Sequence, residues 1–143
     1  MTDVFRDSLG HNLYRIGQLV REETAKALQP FRLTPEQWQL LVVLAQHDGM
    51  TPSELGERTL RDKTTVSRIL PGLVKKGWLM TEPNPKDARS YLVRVTQEHK
   101  PLVRKSMEAV RDHFAQHVFT AMTDGEQEVL LGLLLKLRTH LGD

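Results

Sequence analysis

Apolar residues recur at helical spacing in three long stretches of the chain. Near the N-terminus they step every three to five residues until Pro30, which predicts one long helix over about residues 4–29. Toward the C-terminus two further stretches repeat at similar steps and predict two more helices. The apolar positions are, in chain order, Val4, Leu9, Leu13, Ile16 and Val20, then Val103, Met107, Val110, Phe114 and Val118, and finally Leu130, Leu134, Leu137 and Leu141.

The last of these helices is apolar around most of its circumference, since it also carries Val129, Leu131, Leu133 and Leu135 beside the residues of its stripe. A helix of this kind is tolerated in water when it is buried on two sides. One copy of the chain has too little surface to provide that burial. The sequence therefore predicts that the terminal helices build a two-fold, isologous homodimer.

Three helix starts are marked by threonine caps. Thr34, Thr51 and Thr123 are each followed three residues later by Gln or Glu, the spacing at which the two residues satisfy each other's free N–H groups. Helices are therefore predicted to begin near residues 35, 52 and 124. The first is expected to end around 47–49, where Gly49 stops it. Its apolar positions at helical spacing are Trp38, Leu41, Val42 and Ala45.

Two short β-prone runs, 78–81 and 91–95, are separated by the turn-rich segment 82–90. This segment is too long for a tight hairpin. The pattern predicts a two-stranded ribbon with a protruding tip. The fold class is therefore mainly α with one small β element.

Between the first short helix and the ribbon, the spacing predicts a helix-turn-helix. A capped helix over 52–58 is followed by a turn at 59–61 and by a second helix with Asp62 as its cap. In this arrangement the second helix enters the major groove of DNA. Its packed positions are Val66, Ile69, Leu70, Leu73 and Val74. Its opposite face displays Lys63, Thr64, Ser67, Arg68 and Pro71.

The displayed side chains suit recognition of DNA. Arginine offers a fork of donors to guanine, so Arg68 is the predicted base reader. Lys63, Thr64, Thr65 and Ser67 are expected to share base and phosphate contacts, because roughly half or more of protein–DNA hydrogen bonds go to the backbone. The alternative is that each of these residues belongs to a solvated helix face.

The charge is concentrated in the same region. Residues 56–94 hold nine Lys and Arg against four Asp and Glu, a local charge of +5, whereas the rest of the chain holds eleven against fourteen, or −3. A basic middle favours a polyanionic partner, either nucleic acid or anionic lipid. The motifs favour nucleic acid.

The ribbon tip reads Asn-Pro-Lys-Asp-Ala-Arg-Ser over 84–90, with Leu-Val-Lys-Lys-Gly-Trp-Leu before it over 73–79. With these motifs the chain resembles the winged helix-turn-helix regulators of the bacterial MarR family over essentially its whole length. The resemblance implies a dimerisation region over 1–32 and 97–143 and a DNA-binding domain over 33–96. It also implies a wing whose Lys86 and Arg89 approach DNA and whose Asp87 orients Arg89. The alternative is that Asp87 and Arg89 form only a local ion pair that stabilises a turn.

The same resemblance implies a function and partners. The expected protein is a homodimer on a pseudo-palindromic operator of double-stranded DNA, acting as a repressor. Family members often bind a small phenolic or aromatic effector, for which His11, Tyr14, Arg15 and Trp38 are candidate lining residues, with ordinary core and surface roles as the alternative. The competing function is a dimeric winged-helix module for protein interaction. Pro71 favours that alternative, because proline inside the second helix is expected to kink it near 67–71.

The composition and the motifs argue against several other classes of protein. There is no cysteine, which excludes disulfides, thiolate catalysis and thiol redox sensing. No membrane span or signal layout is seen, so a cytoplasmic protein without a membrane partner is expected. No nucleophile or phosphate-loop motif indicates an enzyme or a cofactor. His113 and His117 stand four apart, as two ligands of one metal would, but surface histidines are the favoured interpretation.

Overall fold

The computed structural model describes residues 5–47 and 49–143, which form six helices and one antiparallel pair of strands. The chain divides after Val110 into two compact units. The helices are α1 Leu9–Leu28, α2 Pro35–Gln46, α3 Pro52–Thr59, α4 Lys63–Lys75, α5 Lys100–His117 and α6 Asp124–His140. The strands are β1 Leu79–Pro83 and β2 Tyr91–Val95. The mainly helical fold with a two-stranded ribbon predicted from the pattern is confirmed.

The capping residues fix the helix starts as predicted, with one correction. Thr34 and Thr123 form complete capping boxes with Gln37 and Glu126, while at Thr51 the structure shows the hydroxyl half, which accepts from the Glu54 N–H at 3.1 Å. The predicted start of α1 near residue 4 is wrong, because residues 5–7 form a turn and the Ser8 hydroxyl accepts from the His11 N–H at 3.2 Å. Val4 and Asp48, which those expectations included, lie outside the described residues.

The core of the first unit forms where α2, α3 and α4 pack together and against the strands. Leu40, Leu41, Leu55, Leu73 and Val93 are fully buried there. The end of α1 joins this core through Ala27 and Leu28, whereas the first half of the helix is exposed. Helices packed on this small sheet present the helix-turn-helix and the ribbon from one scaffold.

The buried face of α2 differs from the predicted one. Leu40, Leu41 and Leu44 are buried, Ala45 is exposed, and Trp38 is half-buried. The indole Nε1–H of Trp38 donates to the hydroxyl of Ser106 on α5 at 3.0 Å. Six consecutive apolar residues from Leu40 to Ala45 leave the periodicity ambiguous, so packing decided which of them turned inward.

The inward face of α4 follows the prediction at its centre. Val66, Leu70 and Leu73 are buried, whereas Val74 is partly exposed. The helix is continuous through Pro71, which lies exposed on the outer face. The expected bend at 67–71 stays a prediction.

The second unit contains the end of α5, a 3-10 turn over Phe119–Ala121, and α6. The Gln127 side chain closes the turn before α6 by donating to the carbonyls of Phe119 and Met122 at 3.1 and 3.2 Å. No residue of α6 is buried. Among the described helices, none combines the length and the apolar character needed to cross a membrane.

Candidate nucleic-acid interface

The first part of the site is the N-terminal half of α4. Asp62 caps this helix, because its Oδ1 accepts from the Thr65 N–H at 2.6 Å. This hydrogen bond is the main cause that lowers the pKa of Asp62, and the nearby charge of Arg68 adds to it. The cap therefore stays ionised at neutral pH and fixes the first turn. The side chains of Lys63, Thr64, Ser67 and Arg68 are exposed, and Thr65 is half-buried.

The second part of the site is the wing, which we define as β1, β2 and the loop over 84–90. The loop is folded on its own hydrogen bonds: Lys86 N–H donates to Asn84 Oδ1 at 3.0 Å, and Ser90 N–H donates to the Asp87 carbonyl at 3.0 Å. Asp87 Oδ1 accepts from both the backbone N–H and the Nε of Arg89, at 3.0 and 3.3 Å. One carboxylate therefore holds the turn and the base of the Arg89 guanidinium.

This ion pair leaves Arg89 available to a partner. The Arg89 side chain is 92% exposed and Asp87 is 44% exposed. A pair so open to water contributes little to stability. Its consequence is orientation, since Nε faces the loop and the outer nitrogens are free to meet an anion.

The two parts face one another across an open cavity of about 600 Å³. Lys63 and Ser67 line one wall of it, and Asp87 and Arg89 line the other. A strip of four residues at the start of α3, 51–54, closes one side. The structure therefore brings Lys63, Ser67, Asp87 and Arg89 to one groove, while Thr64, Thr65, Arg68 and Lys86 lie outside its lining.

Sequence reasoning missed the start of α3 and Tyr91 as parts of this groove. The α3 start reaches it because the turn to α4 is tight: Arg61 N–H donates to the Gly56 carbonyl at 2.9 Å. A Cβ at Gly56 would lie 2.7 Å from the Arg61 carbonyl oxygen, which is backbone and cannot move aside. The buried glycine was the available signal, because it marks a close approach of two backbones.

The four candidate effector residues lie in two places on the described structure. His11, Tyr14 and Arg15 are exposed on the first turns of α1, and Trp38 lines a cavity of about 270 Å³ with residues of α2 and α3. The ion pair that joins α1 to α2, Arg21 with Glu36, lies six to ten residues beyond those three. At 1.5 Å per residue that is roughly 9–15 Å along the helix. A shared pocket for these residues stays a prediction.

The histidine pair is where the spacing placed it. The rings of His113 and His117 are 4.8 Å apart on α5. Within the described residues, no group of three or more His, Cys, Asp or Glu side chains could hold a metal ion. Among the described residues, the pair thus has no third side chain of these types with which to form a metal site.

The profile of the MarR family matches residues 33–90, which contain the helix-turn-helix and the wing loop. The chain is 28% identical to the multiple antibiotic resistance protein MarR of Escherichia coli over 138 residues, covering 95% of this chain and 96% of that protein. A crystal structure of a mutant of that MarR complexed with operator DNA has a TM-score of 0.85, with 28% identity, over 95% of this chain and 99% of its own. Over residues 33–90 the chain is similar to the MarR family, and over nearly its whole length it is similar to the Escherichia coli protein.

Two further proteins that the chain resembles are transcriptional repressors. An HTH-type transcriptional repressor of Mycobacterium tuberculosis is 27% identical over 129 residues, 90% of this chain and 92% of that protein. The transcriptional repressor CouR, bound to a 23-mer DNA duplex, has a TM-score of 0.88 at 20% identity, over 96% of this chain and 97% of its own, and it supports the fold alone. The winged helix-turn-helix fold of the chain is confirmed, and the chain is similar over nearly its whole length to MarR and to an HTH-type transcriptional repressor.

Proposed function

We propose that this chain is a homodimeric repressor of the MarR family that binds a specific, pseudo-palindromic DNA operator. The observation that carries the proposal is the groove in which α4 and the wing face each other, with Lys63 and Ser67 opposite Arg89. A rigid, capped helix beside an exposed, oriented arginine is what reading a duplex requires. The basic segment 56–94 supplies the positive field around it.

Affinity and sequence choice are divided among these residues. Lys63 and Arg89 neutralise phosphates, and so give the binding its dependence on salt. Arg68 projects from the exposed face of α4, beside the Asp62 cap, and reads a base edge by a bidentate contact. Thr64, Thr65 and Ser67 offer hydroxyls, and Lys86 adds a cation at the wing tip.

Dimerisation follows from apolar surface that one chain leaves open. On α1 the exposed apolar side chains are Leu9, Leu13, Ile16, Leu19 and Val20. On α6 they are Val129, Leu130, Leu131, Leu133, Leu134, Leu135 and Leu137. Exposed apolar side chains in this number on one helix are typical of a protein interface, and a second copy of the same helices is their natural complement. A two-fold dimer presents two α4 helices and therefore selects two half-sites.

We further propose that a small aromatic or phenolic effector releases the operator. The cavity beside Trp38 is lined mainly by apolar groups of α2 and α3, with Arg58 and Gln39 as polar partners. Trp38 is one of two tryptophans in the chain, so part of the intrinsic fluorescence reports on this cavity. Quenching by a compound that also lowers operator affinity is the expected result, and quenching without any loss of affinity would contradict release.

The experiment that tests the function is a duplex titration against the DNA upstream of the protein's own gene, with scrambled competitor at two salt concentrations. Lys63→Ala should weaken binding and reduce the salt slope by about one. Lys105→Ala removes the same charge from an exposed position on α5 and should leave the slope unchanged. Tight, competitor-resistant binding supports the proposal. Binding no tighter than competitor, to this region and to a random duplex library, would favour the protein-interaction module.

A further inference from the structure

The wing is joined to the loop between α2 and α3 by a short β-bridge. Met50 N–H donates to the Val93 carbonyl at 3.2 Å, and Val93 N–H donates to the Met50 carbonyl at 2.8 Å. Met50 and Val93 are both buried. This bridge fixes the middle of β2, opposite Thr81, to the loop that leads into α3. It engages β2 alone, so it leaves open what holds the end of β1.

Next to the bridge, Gly49 lies against the guanidinium of Arg94. A Cβ built on Gly49 would be 2.8 Å from Cζ, 2.9 Å from Nη1 and 3.0 Å from Nη2 of Arg94. Three nearly equal distances mean that the flat face of the guanidinium covers the glycine. Gly49 also has a φ of +90°, a conformation that side-chain-bearing residues rarely adopt. A side chain at position 49 would therefore strain the backbone and displace the Arg94 guanidinium.

The edge of the same guanidinium is held by the other strand. Arg94 Nε donates to Glu82 Oε1 at 2.5 Å, and the two side chains are 28% and 36% exposed. Arg94 is paired with Met80 in the ladder, so Glu82 lies two residues further toward the tip on the same face. Glu82 is followed by Pro83, after which the wing loop begins. We call the contact of Gly49, Arg94 and Glu82 the wing clamp.

We infer that the wing clamp is a positioning device that holds the outer wing at the distance from α4 that DNA binding needs. The inference rests on the proposed function. The hydrogen bonds within the loop fix its shape, and the contact of Arg89 with Asp87 lies inside that loop. Neither fixes the direction of the loop relative to α4. The clamp does so, because it joins the last residues of β1 to the backbone that leads into α3.

The charge pattern supports a positioning role for Arg94 rather than a direct contact with DNA. Arg94 is one of the nine cations of the basic segment, but its Nε is engaged by Glu82 and its face by Gly49. Arg89, in contrast, is almost fully exposed. The two arginines of the wing therefore have separate tasks: Arg94 orients the wing and Arg89 meets the phosphate or the minor groove.

Gly49→Ala is the variant that opens the clamp with the smallest change. Its methyl group occupies the space of the guanidinium and pushes Arg94 away from Glu82. Gly77→Ala is the matched control, because Gly77 has a similar φ of +85° and its nearest neighbour, His99 Cε1, would be 3.4 Å from the new Cβ. Both variants carry the same kind of backbone strain. Arg94 is displaced in Gly49→Ala alone.

The deciding measurement is a double-mutant cycle in operator affinity with Arg89→Ala. If the clamp acts through the wing, Gly49→Ala weakens binding about fivefold or more in the wild-type background and less than twofold in the Arg89→Ala background. Gly77→Ala should change affinity less than twofold in either background. Equal losses from Gly49→Ala in both backgrounds would overturn the inference, because a general loss of stability is independent of Arg89.

A second measurement separates failure of the clamp from failure of the proposed function. The chain has no cysteine, so Ala88→Cys at the exposed wing tip accepts a single nitroxide label. Gly49→Ala should increase the mobility of this label without DNA, and Gly77→Ala should not. Unchanged mobility overturns the clamp itself. Increased mobility together with no operator binding by the wild type leaves the clamp standing and overturns its role in DNA binding.

Discussion

The helix-turn-helix and α6 differ in how much of their apolar surface the chain itself covers. Around the helix-turn-helix, leucines and valines such as Leu41, Leu55 and Val66 are fully buried. On α6 no residue is buried, and Leu133 is 56% exposed. Both regions are rich in leucine and both are well capped, so composition and capping do not explain the difference.

The helix-turn-helix is therefore complete within a single chain, whereas α6 leaves its apolar surface open. The helix-turn-helix buries its apolar side chains and leaves cations and hydroxyls on its surface, as a reader of DNA must. The surface of α6 is apolar, which is stable when another surface of the same kind covers it. α1 contains both behaviours, because Thr24, Ala27 and Leu28 are buried while its first half is exposed.

The largest expected effect comes from placing a charge on the open face of α6. Leu133→Lys should convert the proposed dimer to a monomer in analytical ultracentrifugation, because an ammonium group would have to be buried in the interface. Operator affinity should fall by about 100-fold or more, since both half-sites are no longer bound together. Glu128→Lys introduces the same side chain at a polar position of the helix and should leave the dimer intact. A monomeric wild type would contradict the proposal that a second copy of the chain covers α6.

A smaller effect is expected inside the helix-turn-helix scaffold. Leu41→Ala removes a fully buried side chain and should lower the free energy of unfolding by about 2–5 kcal/mol. Denaturant titration at a fixed protomer concentration measures it, because folding and association are linked. The oligomeric state of the folded protein should not change. A loss below about 1 kcal/mol would show that this core is less tightly packed than its burial indicates.

The local signals in the sequence were sufficient for much of the fold. Threonine caps predicted α2, α3 and α6, and the alternation of polar and apolar residues predicted the outer face of α4. The predicted start of α1 was wrong because Val4 fits the same spacing as Leu9. The periodicity therefore gave no sign that Ser8 caps the helix. The contribution of the α3 start to the groove and the contact of Gly49 with Arg94 were not predictable, since they join residues that are distant in sequence.

The next effect concerns base reading and tests the polar half of the comparison. Arg68→Ala should relax specificity at one base-pair position of each half-site, with a loss of about 1–3 kcal/mol on the preferred sequence. Selection from a random duplex library before and after the substitution measures this. Arg104→Ala, an exposed arginine on α5, should keep the wild-type preference. Equal losses on every sequence would assign Arg68 to phosphate binding.

The smallest effect tests the boundary between the two behaviours within α1. Arg21 donates to both carboxylate oxygens of Glu36, at 2.7 and 2.9 Å, and this contact keeps the pKa of Glu36 below its ordinary value of 4.5. Because the pKa of Glu36 is lowered, the ion pair stabilises the fold at pH values above 4.5. This contribution is lost as the pH falls through the lowered pKa. Because both side chains are partly exposed, Glu36→Gln should cost about 0.2–1 kcal/mol at neutral pH. The difference from wild type in thermal melts should vanish in strong acid. A difference that persists at pH values well below 4.5 would mean that Glu36 stabilises the end of α1 by packing rather than by charge.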